Sequence, residues 1–236
     1  MNILAIETTG PVASAAVIDD DGCVCEVVGE GRLTHLEKLI PLVDKALEDC
    51  GKTLNDIEGI AVSRGPGSFT GIRIGVATAK ALAQVLGLEV AEVPSLYAAA
   101  LGAARFEGII CVVLDARRSQ VYAAAYECRW GELTEILPEK AYDIREVADA
   151  VKNKGPVYFL GDGIFIDEIR SVLENEVGGE AFFAHEETRV QRADSAAVVG
   201  SEIFAAGKAV SYSEAKPEYL RISEAERKLL EKRERS

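Results

Sequence analysis

This chain is poor in histidine: His35 and His185 are the two in 236 residues. They stand far apart, so no pair of imidazoles shares a helix face, and a local histidine-based metal motif is excluded. Cysteine is sparse and irregular. Cys23, Cys25, Cys50, Cys111 and Cys128 make an odd set of five. No second close pair completes a four-ligand zinc site. They read as the reduced thiols of an intracellular protein. Basic residues are outnumbered, 26 Lys and Arg against 39 Asp and Glu, giving a formal net charge of −13. Nucleic-acid affinity comes mainly from Lys and Arg neutralising phosphates, so direct RNA or DNA tracking is not expected. Long apolar runs are missing as well, since Glu7 interrupts the first after six residues. No run approaches the ~18–20 apolar residues of a membrane span. Without a basic lead no signal peptide is expected, and a cytoplasmic location is.

What is present is ordinary in amount and specific in order. Apolar residues make up 48% and charged residues 28%, the balance of a soluble globular chain. Apolar runs at 2–6, 12–18 and 23–28 predict three antiparallel strands, the second and third joined by Asp19-Asp20-Asp21-Gly22. A glycine-ended acidic tetrapeptide between apolar runs reads as a hairpin turn and not as a metal loop. A helix is expected over 34–50, with Thr34 and Glu37 spaced as a capping box. Its apolar residues Leu36, Leu39, Ile40, Val43, Ala46 and Leu47 cover about half the circumference, more than the ~100° one packing face needs. That width leaves apolar surface for a second body.

Strands at 57–63 and 88–93 follow, and then a short helix to Ala104. The pattern then restarts, with strands at 109–114, 119–127 and 131–138, a helix at 143–152 and a strand at 156–160. Gly161-Asp162-Gly163 leads into helices at 164–175 and 193–207, and a highly charged tail follows Arg221. The strands ending at Glu7 and at Asp115 hold parallel positions in the two halves. The expectation is a duplicated α/β fold of two lobes, residues 1–105 and 106–236, with a cleft between them.

One stretch organises the first half: Ser63 to Ala83, SRGPGSFTGIRIGVATAKALA. An apolar run enters a Gly-Pro turn and a long helix leaves it, with Ser68 or Thr70 as the capping side chain. At ~100° per residue, Arg73, Lys80 and Gln84 form a polar stripe. Opposite lie Gly71, Gly75 and Ala79, with Thr78 and Leu82 beside them. Each helical glycine costs roughly 1 kcal/mol relative to alanine, so close approach of another group must compensate. The ridge fits the chain's own sheet, the usual reason for glycine in a helix. A partner helix, or a phosphate at the helix N-terminus, also fits.

The pairing of ILAIETT with GPGSFTGIRIGVATAKALA resembles the TsaB family, also called YeaZ. RLTHLEKLIPLVDKAL, VVLDARRSQVY and PEYLR resemble its segments too, densely over residues 1–125 and more thinly beyond. The resemblance implies an actin-like ATPase, ribonuclease H-like fold. It also implies a subunit of the tRNA threonylcarbamoyladenosine system, without catalysis of its own. The implied partners are a TsaD-like paralogue, in a heterodimer, and the ATPase TsaE. A homodimer is implied when the chain is alone. TsaD carries a pair of histidines spaced H-x-x-x-H on the matching helix; here His35 is followed by Leu39. No metal and no cofactor are therefore expected.

Residue by residue, the resemblance places degenerate nucleotide turns at Glu7, Thr8 and Thr9, at Asp115, and at Gly161 and Gly163. The turn from Asp115 to Ser119 holds no glycine, so side chains crowd a phosphate's approach. At the third turn, glycines required by a strand-to-helix turn are the plainer reading. The resemblance also moves the ridge towards a partner interface, formed by His35, Leu39, Leu42 and Ala46 with Gly71, Gly75, Thr78, Ala79 and Leu82. Two rivals stand beside the assembly subunit: an ATP-binding hydrolase or kinase-like enzyme using the cleft, and a peptidase. No nucleophile–base–acid set supports the last. A ridge that faces a partner predicts that Gly75→Leu folds normally and loses the partner. A ridge that faces inward predicts that the same variant fails to fold.

Overall fold

Strands of this protein read as continuous apolar runs because the first sheet is covered on both faces. The computed structural model describes residues 1–19, 21–22, 24–29, 35–117, 120–185 and 191–220, and of 35–38 the backbone alone. Three strands open the chain: β1 (Ile3–Glu7), β2 (Ser14–Ile18) and β3 (Val24–Val28). They pair antiparallel in sequence, and the acidic turn between β2 and β3 closes by Gly22 N–H donating to Asp19 O at 3.0 Å. Helix α1 (His35–Asp49), strand β4 (Gly59–Gly65), helix α2 (Phe69–Leu86), strand β5 (Glu89–Pro94) and helix α3 (Ser95–Gly102) follow.

β1, β4 and β5 run parallel, and alternate residues along them feed different cores. Leu4, Ile6, Ala15, Val17, Ile60 and Val62 face α1 and α2, while Ile3, Ala5, Ala16, Ala61 and Ala91 face the other side. That second side is covered by α6 (Ala193–Ala205), contributed by the far half of the chain. Short β11 (Val210–Ser211) then pairs with β5. Residues beyond position 106 thus supply a whole layer and an edge strand of the first sheet.

The second half restarts with β6 (Gly108–Asp115), β7 (Gln120–Arg129) and β8 (Glu132–Asp143). Helix α4 (Ile144–Val151), β9 (Val157–Leu160), α5 (Asp167–Val177) and β10 (Ala181–Phe183) complete it. The first sheet is ordered β3-β2-β1-β4-β5, with β11 on its edge, and the second β8-β7-β6-β9-β10. These two orders are the same topology, so the duplicated, actin-like α/β fold expected from the sequence holds. β10 and β11, three and two residues long, are too short for alternation to announce them. β8 runs on to Asp143 because irregular register opposite Ala123 and Ala125 absorbs the twist.

The inward faces of α1 and α2 correct the expected interface. Leu39, Leu42 and Ala46 are core residues of the first lobe, packed with Val43 and Leu47. The backbone of His35 opens α1; its side chain and the Thr34 cap lie outside the described residues. On α2 the glycine ridge meets the chain's own first turn. A Cβ on Gly71 would stand 1.9 Å from Thr8 O, and one on Gly75 would stand 2.2 Å from Thr8 Oγ1. Ala79 is fully buried, and Thr78 and Leu82 are half-buried at the ridge's margins. The apolar arcs are wide because the helices sink deeply between sheet and turn. Partner contact at Gly71, Gly75 and Ala79 is ruled out by their own packing.

The consequence is a clear expectation for substitution. Gly75→Leu should fail to fold or lose at least about 3 kcal/mol, since backbone and a buried threonine cannot yield. Ala77→Leu, on the solvent side of the same helix, should stay within about 0.5 kcal/mol of the parent. Urea denaturation of both variants measures this, and a stable Gly75→Leu would reject the inward assignment.

Candidate functional site

The first turn follows β1, and four donors converge there on one side chain. Glu7 is 1% exposed, and its Oε1 accepts the Thr9 hydroxyl at 2.6 Å and the Thr9 N–H. The Gly10 N–H and the Ser63 hydroxyl face the same carboxyl. Oε2 and Ser63 Oγ are buried without a hydrogen-bond partner of proper geometry. Burial pushes the Glu7 carboxyl above its usual range, and the hydrogen bonds from Ser63, Thr9 and Gly10 pull the other way. The amides that a phosphate would need are already taken.

The helix α2 seals this turn from outside. Ser68 N–H donates to Thr9 O at 2.7 Å, and Thr8 Oγ1 donates to Gly71 O at 2.8 Å. Ser68 Oγ accepts the Gly71 N–H at 3.2 Å, so Ser68 is the cap and not Thr70. Gly67 is backed against Thr9 O, where a Cβ would stand 2.4 Å away. Thr8 and Thr9 are 0% and 2% exposed. Gln191, just before α6, closes the far side against Gly10.

The second turn is closed in a similar way. Asp115 Oδ1 accepts the Arg117 N–H at 2.7 Å, and the Asp115 N–H donates to Asp162 Oδ1 at 3.0 Å. Arg118 and Ser119 lie outside the described residues. Gly161 and Gly163 sit where a Cβ would be 2.3 Å and 2.9 Å from Val113 O. Those glycines admit the strand β6 backbone. The structure thus brings Asp115 and the third turn together through Asp162, and Glu7, Thr8 and Thr9 together with the glycine ridge.

The open surface of α2 lies between its ridge and its polar stripe. Thr70, Ala77, Ala81 and Val85 are exposed, Val85 by 85%, with Ile74 and Thr78 half-buried beside them. Small residues there let another backbone approach closely. On α1, Ile40 is exposed at 46%. The spacing of 77, 81 and 85 sets these residues along one strip of the helix, beside the glycine ridge. The polar stripe is meanwhile occupied by the chain's C-terminal segment. Lys80 Nζ donates to Ala215 O at 2.7 Å, Arg73 Nε to Tyr219 Oη at 2.8 Å, and the Arg73 guanidinium stacks on Phe69 at 4.0 Å.

That segment also carries the junction between the lobes. Arg64 Nε lies 2.8 Å from Glu218 Oε2, and Glu139 of β8 faces both. Burial and the neighbouring Glu218 push the Glu139 carboxyl up to about 7, against the opposing pull of Arg64 and the Leu96 N–H.

Among known proteins, the tRNA threonylcarbamoyladenosine biosynthesis protein TsaB of Bacillus subtilis is 32% identical over 232 residues, 98% of this chain and 99% of its own. The chain belongs to the TsaB family. The TsaB of Escherichia coli is likewise 32% identical, over 97% of this chain and 98% of its own. The family model of TsaD, tRNA N6-adenosine threonylcarbamoyltransferase, matches residues 27–228. The crystal structure of YeaZ from Pseudomonas aeruginosa superposes with a TM-score of 0.77 at 25% identity, over 92% of this chain and 100% of that one. A ROK hexokinase from Thermus thermophilus shares the fold alone, with a TM-score of 0.50 at 14% identity, over 88% of this chain and 100% of that one. Among the described residues of this TsaB-family chain, no group of three or more His, Cys, Asp or Glu is placed to hold a metal ion, and no helix is long and apolar enough to cross a membrane.

The pH dependence of Glu139 has a definite sign. Its folded value, about 7, lies above the ordinary 4.5. Its contribution to stability is therefore fully present below the unfolded value and lost as pH rises through the folded one. Replacing it by Gln removes that loss. The stability of Glu139→Gln relative to the parent should rise between pH 5 and pH 8, read from urea midpoints, and a constant difference would reject the assignment.

Proposed function

We propose that this chain serves tRNA threonylcarbamoyladenosine biosynthesis as an assembly subunit that pairs with a TsaD-type partner and performs no catalysis itself. The observation that carries this reading is the contrast between its two surfaces. Among the described residues, the turns after β1, β6 and β9 are packed by the chain's own groups, whereas α2 presents an open face of small residues. The family relationship supports the same reading, because full-length relatives are named for that biosynthesis. The closed turns weigh against an ATP-binding hydrolase or kinase-like enzyme. An acidic body needs its partner to supply the basic surface for tRNA.

On this reading the partner packs a helix against Thr70, Ile74, Ala77, Ala81 and Val85. TsaE completes the working assembly. The test is reconstitution of tRNA modification from TsaD, TsaE and threonylcarbamoyl-AMP, with and without this chain. Omission should abolish most of the product. Ala81→Arg should weaken pairing by tenfold or more, corresponding to roughly 1.4 kcal/mol, with its thermal midpoint unchanged. Full product yield without the chain rejects the proposal, and unimpaired pairing of Ala81→Arg rejects the face.

A further inference from the structure

Glu7 is an unusual residue to bury. It sits at the end of a central strand, is 1% exposed, and has no cationic partner among the groups that perturb it. Backbone and hydroxyl donors surround it instead. Consecutive N–H groups on a turn form a concavity that suits an oxyanion, and a carboxyl offers the same trigonal oxygens as one face of a phosphate. Here the carboxyl arrives on the chain itself, from two residues upstream of Thr9. The second half repeats the device at the matching strand end, where Asp115 accepts the Arg117 N–H two residues on. Both halves of the fold therefore close their turn with an acidic side chain.

The turn in turn holds α2. Thr9 O takes the Ser68 N–H and Thr8 Oγ1 reaches Gly71 O, so the path of Thr8 and Thr9 sets where the helix begins. An apolar residue at position 7 would pack as well but would leave the turn's N–H groups buried and unsatisfied. The Thr9 hydroxyl and N–H both converge on Oε1, which makes that oxygen the acceptor of the turn.

We propose that the Glu7 carboxyl is a built-in ligand of the first turn, standing in for an external oxyanion and holding α2 in its partner-presenting position without any nucleotide. Glu7 is thereby a positioning residue for assembly, an assignment that rests on the partner reading above. It predicts that α2 needs no bound ligand to be in place, and that an added small carboxylate can replace the side chain.

The experiment compares the parent, Glu7→Ala and Glu7→Gln, each with and without formate, with chloride at equal ionic strength as control. Glu7→Ala should melt several degrees below the parent. Formate should restore much of that loss and strengthen pairing of the variant with a TsaD-type partner by tenfold or more. Formate should leave the parent unchanged, and chloride should restore nothing. Glu7→Gln keeps an acceptor oxygen at the turn and should retain both folding and pairing. Equal melting of Glu7→Ala and parent, or a formate effect that is absent or common to both, overturns the proposal. If Glu7→Ala is insoluble, Glu7→Gln decides: a folded variant supports the built-in ligand and an insoluble one overturns it. Failure of the parent itself to pair overturns the partner reading, while melting with formate still tests the turn.

Discussion

The close approach of α2 to the Thr8–Thr9 backbone is the contact on which the rest of the first lobe depends. It exists because Gly67, Gly71 and Gly75 carry no Cβ where Thr9 O, Thr8 O and Thr8 Oγ1 must pass. Two glycines inside a helix cost about 1 kcal/mol each in propensity. Burial of Ile72, Val76, Ala79 and Ala83 against the sheet offsets this, as do the hydrogen bonds across the turn. The helix is pinned at its first turn, its polar stripe is held by the C-terminal segment, and Ala77, Ala81 and Val85 stay exposed.

The same contact explains why the first turn is closed. A turn that serves as a seat for a helix cannot also stay open to solvent, and its N–H groups must then find acceptors within the chain. Glu7 supplies one at the end of β1, and Asp115 supplies one at the end of β6. The two halves, built on one strand order, solve the same hydrogen-bonding problem with acids of different length. The first lobe is a scaffold that holds α2 against the turn after β1. The C-terminal segment completes that scaffold, because Arg73, Lys80 and Arg64 of the first lobe all hold residues between 213 and 219.

Much of this was legible in the chain. Uninterrupted apolar strands, the acidic hairpin turn, the Ser68 cap and the restart at residue 109 come from short-range chemistry, and each appears where it was expected. The depth at which α1 packs was not legible. Leu39, Leu42 and Ala46 look like surplus apolar surface on a helical wheel, yet they fill the space between α1 and the sheet. A wheel gives the direction of a side chain and not the depth to which its helix sinks. Gln191 and Glu26 were missed for a related reason. Glu26 Oε1 accepts the Ala193 N–H at 2.9 Å, a contact between residues 167 positions apart that no local pattern encodes.

The sequence by itself determined the longer strands and helices and their order, the duplication, the family, and the need for something to lie close against Gly71 and Gly75. Periodicity, turn chemistry and the absence of a Cβ act within a few residues, so they can be read from the chain directly. Only the tertiary structure decided what lies there. Ser63–Ala83 opened three possibilities, its own sheet, a partner helix or a phosphate at the helix N-terminus, and Thr8 of the chain's own first turn occupies the ridge. The neighbouring strip of Ala77, Ala81 and Val85 stays exposed, because a helix packed on one side by its own fold leaves only its other side to solvent.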